Sequence, residues 1–115
     1  MVSVPAVRIK KKEMDVLIGE EGGALVCTLR GRLDTPASQE VMKAVQPLLE
    51  QADREIILDC RDLEYISSSG LRILLMLRKE TGRKGGRLVI RGIREAIRQV
   101  FLMTGFYNLF EIREA

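Results

Sequence analysis

Apolar and polar positions along this chain fall into short runs of two periods, and the alternation of those runs predicts the elements. Met14 to Ile18 reads as a strand, Glu21-Gly22-Gly23 as a hairpin turn, and Ala24 to Leu29 as the partner strand. Next, Thr35 is placed to cap a helix, with Pro36 at its first position. Val41, Ala44, Val45, Leu48 and Leu49 give that helix an amphipathic spacing, and Pro47 within it predicts a kink or an early end. Glu55 to Cys60, with Ile56-Ile57-Leu58 at its centre, reads as a buried central strand, and Arg61 to Ile66 as a loop. A second helix is expected from about Ser68 to Thr81, ended by Gly82 or by Gly85-Gly86. Arg87 to Arg91 is another strand. Ile93, Ile97, Val100, Phe101 and Thr104 mark a third helix, with Gly105 as its C′ residue and Phe106 packing back. Phe110 to Arg113 is a short last strand or tail. Residues 1–13 show no clear period and read as a lead-in, with a weak edge strand at most.

Strand followed by helix, repeated three times, implies βαβ units with right-handed crossovers. The expected fold class is α/β: one domain over 14–113, a mixed but mostly parallel sheet with helices packed against it, and an antiparallel hairpin at its start. In such sheets the loops after the strands gather at one edge, where sites occur. Asp34 and Thr35 follow one strand and Ser67-Ser68-Ser69 follow the next, so these residues are expected within a side chain's reach of one another.

The serine run has two readings. One serine suffices to cap a helix, since its hydroxyl accepts from a free N–H of the first turn. Three in succession suggest a second task, because the first turn is also where a phosphate is favoured. In the helix that follows, Leu71, Leu74 and Leu75 make one face, while Ile73, Met76 and Leu77 fall largely on others. Either this helix is buried nearly all round, or it offers an apolar patch to a partner. A helix in a small domain is seldom wrapped on every side, so the patch is expected, with Met76 or Ile73 substantially exposed.

Composition narrows the chemistry. With 115 residues, 46% hydrophobic and 30% charged, the chain can bury an ordinary core. Aromatics are 4% and Trp is absent, which argues against stacking on single-stranded nucleic acid. A net charge of +3 decides little about partners; Lys10 to Lys12 are read as a solvated strand end ahead of a contact to an acidic surface. The longest apolar run, Ile73 to Leu77 around Met76, is far too short to span a bilayer, and no apolar block follows the early lysines, so neither membrane insertion nor a secretory signal is expected. Cys27 and Cys60 are read as small core residues kept reduced in the cytoplasm, and two Cys without His make a zinc site improbable. Arg94 and Arg98 are read as solvated surface in preference to an anion site. The lack of His also rules out a Ser-His-Asp triad; the Gly-x-Ser-x-Gly elbow is missing, and Lys79 and Lys84 lie too far along the helix to serve Ser69. No enzymatic activity and no cofactor are expected.

Gly31-x-Leu33-Asp34, Ile57-x-Asp59, Ile66-Ser67-Ser68-Ser69-Gly70-Leu71, Gly86-x-Leu88 and Thr104-Gly105-Phe106, in this order and spacing, resemble the STAS domain family over about 14–113, and within it the anti-sigma factor antagonists. The resemblance implies a small α/β binding domain whose partner is an anti-sigma factor with serine kinase activity. It implies phosphorylation of the serine before Gly-Leu, here Ser69, and release of the partner on modification, with a phosphatase restoring the free form. Together with the shared strand-end edge and the helix patch, this puts the expected partner-binding surface at Asp34, Thr35, Ser67, Ser68, Gly70, Leu71, Arg72, Ile73 and Met76; Ser67 and Ser68, whose hydroxyls capping would occupy in a helix beginning near Ser68, are read as mainly structural. Two positions depart from the family pattern. Ser67 stands where Asp is usual, leaving the site one negative charge short, and Arg72 stands where a small residue is frequent. A cation in the first turn opposes the helix dipole unless it meets a phosphate or a partner carboxylate. The resemblance also accommodates a permanent partner, as in a transporter or lipid-trafficking subunit or a stressosome-like scaffold.

Overall fold

The computed structural model describes residues 14–114 and the backbone of a short strand, β1 (Val7–Arg8). The remaining lead-in, including Lys10 to Lys12, lies outside the described residues. β2 (Met14–Glu21) and β3 (Ala24–Leu33) form the expected hairpin, turning at Gly22 and Gly23, and β1 pairs antiparallel with β2. Beyond the hairpin every pairing is parallel. The sheet order is β1-β2-β3-β4-β6-β7, with β4 at Glu55–Asp59, β6 at Arg87–Arg91 and β7 at Glu111–Arg113.

The helices are α1 (Thr35–Ala44), α2 (Gln46–Glu50), α3 (Ser68–Lys84) and α4 (Glu95–Thr104), with a 3-10 turn at Tyr107–Leu109. Alternation along the strands decides which sheet face they cover. Met14, Val16, Ile18, Leu25, Cys27, Leu29, Ile56, Leu58, Leu88 and Ile90 join one cluster with buried side chains of all four helices. The opposite face carries a small cluster of Ala24, Ile57 and Val89 with Val26, to which no described helix contributes.

Three readings of the sequence are corrected, and two that it left open are decided. The loop Arg61 to Ile66 holds a further strand, β5 (Leu63–Ile66), parallel to the far end of β3. β3 is longer than the pattern implied, because Gly31, at φ 101°, takes a backbone that other residues rarely adopt and lets the strand continue past a register shift. The first helix is capped by Asp34 in place of Thr35: Asp34 has the extended backbone of a cap and its carboxylate accepts from Ala37 N at 3.0 Å. The long helix to Leu49 is two helices broken at Val45, since Pro47 has no N–H to continue the ladder. Of the two expected stops for α3, Gly82 lies within the helix and Gly85 ends it: the helix runs to Lys84, and the left-handed backbone of Gly85 caps it.

Candidate functional site

The site is built where β3 and β5 deliver the chain to two helices. Leu33 pairs with Ile66, and Ser67 N donates to Leu33 O at 2.9 Å, so Asp34 and Ser67 leave the sheet side by side and each caps a helix. Ser67 is buried, with extended backbone, and its hydroxyl accepts from Gly70 N at 3.2 Å. Ser68 was expected to cap as well. It is instead the first helical residue, exposed, and its hydroxyl has no hydrogen-bond partner among the described residues, because only the residue just outside the helix has the backbone to reach an N–H of the first turn. Ser69 is half-buried and likewise keeps a free hydroxyl.

Gly70 explains how α3 sits so low against the sheet. A methyl at this position would lie 2.7 Å from Leu33 Cγ and 2.8 Å from Ile66 Cγ1, well inside contact distance. Gly70 and Leu71 therefore face the interior, and with them Ser67 serves the start of the helix more than its surface.

α1 and the N-terminal half of α3 leave a groove of about 370 Å³ between them. Thr35, Ser38, Gln39 and Met42 line it from α1, and Ser69, Arg72, Ile73 and Met76 from α3. The structure thus brings Thr35 together with Ser69, Arg72, Ile73 and Met76, as the common strand-end edge implied. The expected apolar patch is corrected. Ile73 is only 6% exposed and Met76 is half-buried, because α1 and α2 pack beside α3 and widen its covered face to Leu71, Ile73, Leu74 and Leu77. Ser38, Gln39 and Met42 were missed because α1 had been read only for its core-facing positions. Their recurrence with Thr35 at i, i+3, i+4 and i+7 is the signal of a second face. Ser38 donates to Thr35 O at 2.7 Å, which orders the rim of the groove. No amine, imidazole or carboxylate lines the groove beside Ser69, so the groove offers hydroxyls, one amide, one guanidinium and apolar surface.

A second group at the same strand edge holds the chain that leads into the site. Asp59, at the end of β4, is 3% exposed. It accepts from Arg61 Nε at 3.0 Å and Nη2 at 2.8 Å, from Arg61 N at 3.2 Å, and from Arg91 Nη2 at 3.1 Å. Burial by itself would raise the Asp59 carboxyl, but the hydrogen bonds from Arg61 and Arg91 outweigh it and hold the group below the usual carboxylate range. Cys60 N donates to Arg91 O at 3.0 Å and Gly31 N to Asp62 O at 2.9 Å, fixing both ends of the turn before β5. Arg94 and Arg98 are tied down as well: Arg94 Nε donates to Arg61 O at 3.0 Å, and Arg98 Nη1 to Tyr107 Oη at 2.8 Å. Cys27 and Cys60 are buried free thiols; burial pushes Cys27 up to about 12 and raises Cys60 too.

The STAS domain model matches residues 15–115. BtrV of Bordetella bronchiseptica, provisionally named an anti-sigma factor antagonist, is 27% identical over 99 residues, covering 86% of this chain and 85% of that protein. The solved anti-sigma factor antagonist from Mycobacterium paratuberculosis has a TM-score of 0.75 at 21% identity, over 93% of this chain and 90% of that one. The phosphorylated form of the Bacillus cell fate determinant SpoIIAA has a TM-score of 0.67 at 22% identity, over 87% and 90%. At those identities the two structures establish the fold.

Proposed function

This chain belongs to the STAS domain family, and from that membership we propose that it is an anti-sigma factor antagonist, a binding module switched at Ser69. With Ser69 unmodified, the groove between α1 and α3 docks an anti-sigma factor that is also a serine kinase, and the sigma factor is left free for transcription. Phosphorylation of Ser69 by that partner ends the complex, and a phosphatase resets it. The protein works in the cytoplasm and carries out no reaction of its own.

The observation that carries this reading is the state of Ser69. Of the three serines, Ser67 is spent on the cap, whereas Ser69 lines the groove with a hydroxyl that has no hydrogen-bond partner among the described residues. A phosphoserine brings about −1.5 to −2 charge. Desolvating that charge against an unmatched partner costs on the order of several kcal/mol, which corresponds to a hundredfold or more in affinity. The names of the relatives and the existence of a phosphorylated form of SpoIIAA agree with this use of the fold.

Co-purification followed by incubation with ATP and peptide mass spectrometry tests the proposal. The expected partner is an ATPase resembling a histidine kinase, and the expected phosphate is on Ser69. Ser69→Ala is expected to bind constitutively, and Ser69→Asp to bind at least about a hundredfold more weakly while remaining folded. Phosphate on Ser67 or Ser68 and none on Ser69 refutes the assignment. Ser67 in place of the family's Asp leaves the start of α3 without an acidic residue, and this one observation favours the second reading, a permanent partner. A transporter ATPase recovered without any phosphate would establish that reading instead.

A further inference from the structure

Arg72 stands apart from the other arginines. Among the described residues, every other arginine from Arg30 to Arg113 has a carboxylate, a carbonyl, a phenol or an aromatic ring within contact. Arg72 is exposed, has no such contact, and lines the groove as its only charged side chain. Ser69 precedes it by three positions on α3, the spacing that puts two side chains on one helix face with Cβ atoms roughly 5–6 Å apart. Among the described residues the hydroxyl of Ser69 has no hydrogen-bond partner. No carboxylate lines the groove to draw the guanidinium elsewhere.

We propose that Arg72 is the internal receptor for a phosphate on Ser69, closing a guanidinium–phosphate pair along the α3 wall of the groove. The inference rests on Ser69 being the modified residue. Modification joins Ser69 Oγ to the γ-phosphorus of a nucleoside triphosphate. The bond from that phosphorus to the diphosphate oxygen breaks, and the hydroxyl proton passes to the kinase's base. The phosphate then presents three acceptor oxygens to a planar fork of donors, a bidentate match that a lysine does not provide. In the unmodified protein the same guanidinium is available to a docked partner; in the modified protein it is engaged. The switch therefore removes a contact as well as adding a charge.

The test uses the full chain with phosphoserine installed at position 69 during translation, and no partner. Phosphorus NMR follows the second ionisation of the phosphate in the chain with Arg72 and in Arg72→Gln. A neighbouring cation favours the dianion, so the midpoint is expected to lie roughly half a pH unit lower with Arg72, about threefold in proton affinity. Arg72→Lys is expected to fall between the two, and added salt to narrow the gap. Since Arg72 is exposed and makes no hydrogen bond, ion pair or ring contact among the described residues, both unmodified variants are expected to melt with the parent chain, which separates loss of the pair from loss of the fold. Equal midpoints, or a higher midpoint with Arg72, overturn the proposal. That result, obtained while phosphoserine at 69 still abolishes partner binding, leaves the Ser69 switch intact and removes only the role of Arg72. Conversely, a clear gap in a protein that no cellular kinase modifies sinks the switch and leaves the pair standing.

Discussion

Replacing Gly70 with alanine adds one methyl group where α3 meets the ends of β3 and β5. Two effects oppose each other. Alanine is the better helix residue by about 1 kcal/mol at an interior position and by less in the first turn. Against this, the methyl would sit 2.7 Å from Leu33 Cγ and 2.8 Å from Ile66 Cγ1, about 1 Å inside carbon contact distance. Both neighbours are buried side chains, at 0% and 4% exposure, with little room to retreat. Overpacking of this kind costs typically about 1–3 kcal/mol. The packing term wins, and the net loss is about 1–2 kcal/mol, or a melting temperature lower by roughly 3–8 °C for a domain of this size. Thermal melts followed by circular dichroism measure it. A double-mutant cycle with Leu33→Ala checks the cause: truncating Leu33 alone is strongly destabilising, but in its presence the added methyl finds space, so the double variant should be more stable than additivity predicts. An unchanged or raised melting temperature for Gly70→Ala, or strict additivity in the cycle, would refute the steric argument.

Two further outcomes follow from the geometry around the site. Ser67→Ala should lose about 1 kcal/mol of stability with its cap, while Ser68→Ala should stay within about 0.5 kcal/mol of the parent, a difference that chemical denaturation resolves. Asp59 is held below its ordinary range in the folded state, so its contribution to stability is present above the unfolded carboxylate pKa and is lost as pH falls through the depressed folded value. Denaturation midpoints should therefore decline on acidification below about pH 4, with a smaller decline in Asp59→Asn measured against its own neutral-pH value; an equal decline in both would show that Asp59 is not the group responsible.

Local chemistry in the sequence determined a good deal. Ile56-Ile57-Leu58 reads as a buried strand and is one, the good helix formers from Leu71 onward form a helix, and Gly105 ends α4 in the left-handed backbone that glycine adopts most easily. The alternation of these runs implied the parallel sheet, and the sheet implied that Asp34, Thr35 and the serines share one edge. These features are legible because each depends on neighbours a few positions away. What depends on distant residues was not. β5 is four residues with no strong period of its own, and it is a strand because the far end of β3 offers it a ladder. Ser67, Ser68 and Ser69 are chemically identical in the sequence; their division into a buried cap, an exposed hydroxyl and a groove hydroxyl follows from where α3 begins and from how closely Gly70 lets it approach Leu33 and Ile66. The exposure of Ile73 was misjudged because the packing of α1 and α2 beside α3 cannot be read from the period of α3 alone. Arginine charges, too, are fixed by composition, but only the tertiary structure decided that Arg91 would pair with Asp59 on the neighbouring strand while Arg72, beside Ser69, would have no partner among the described residues, because pairing depends on which carboxylates the fold brings within reach.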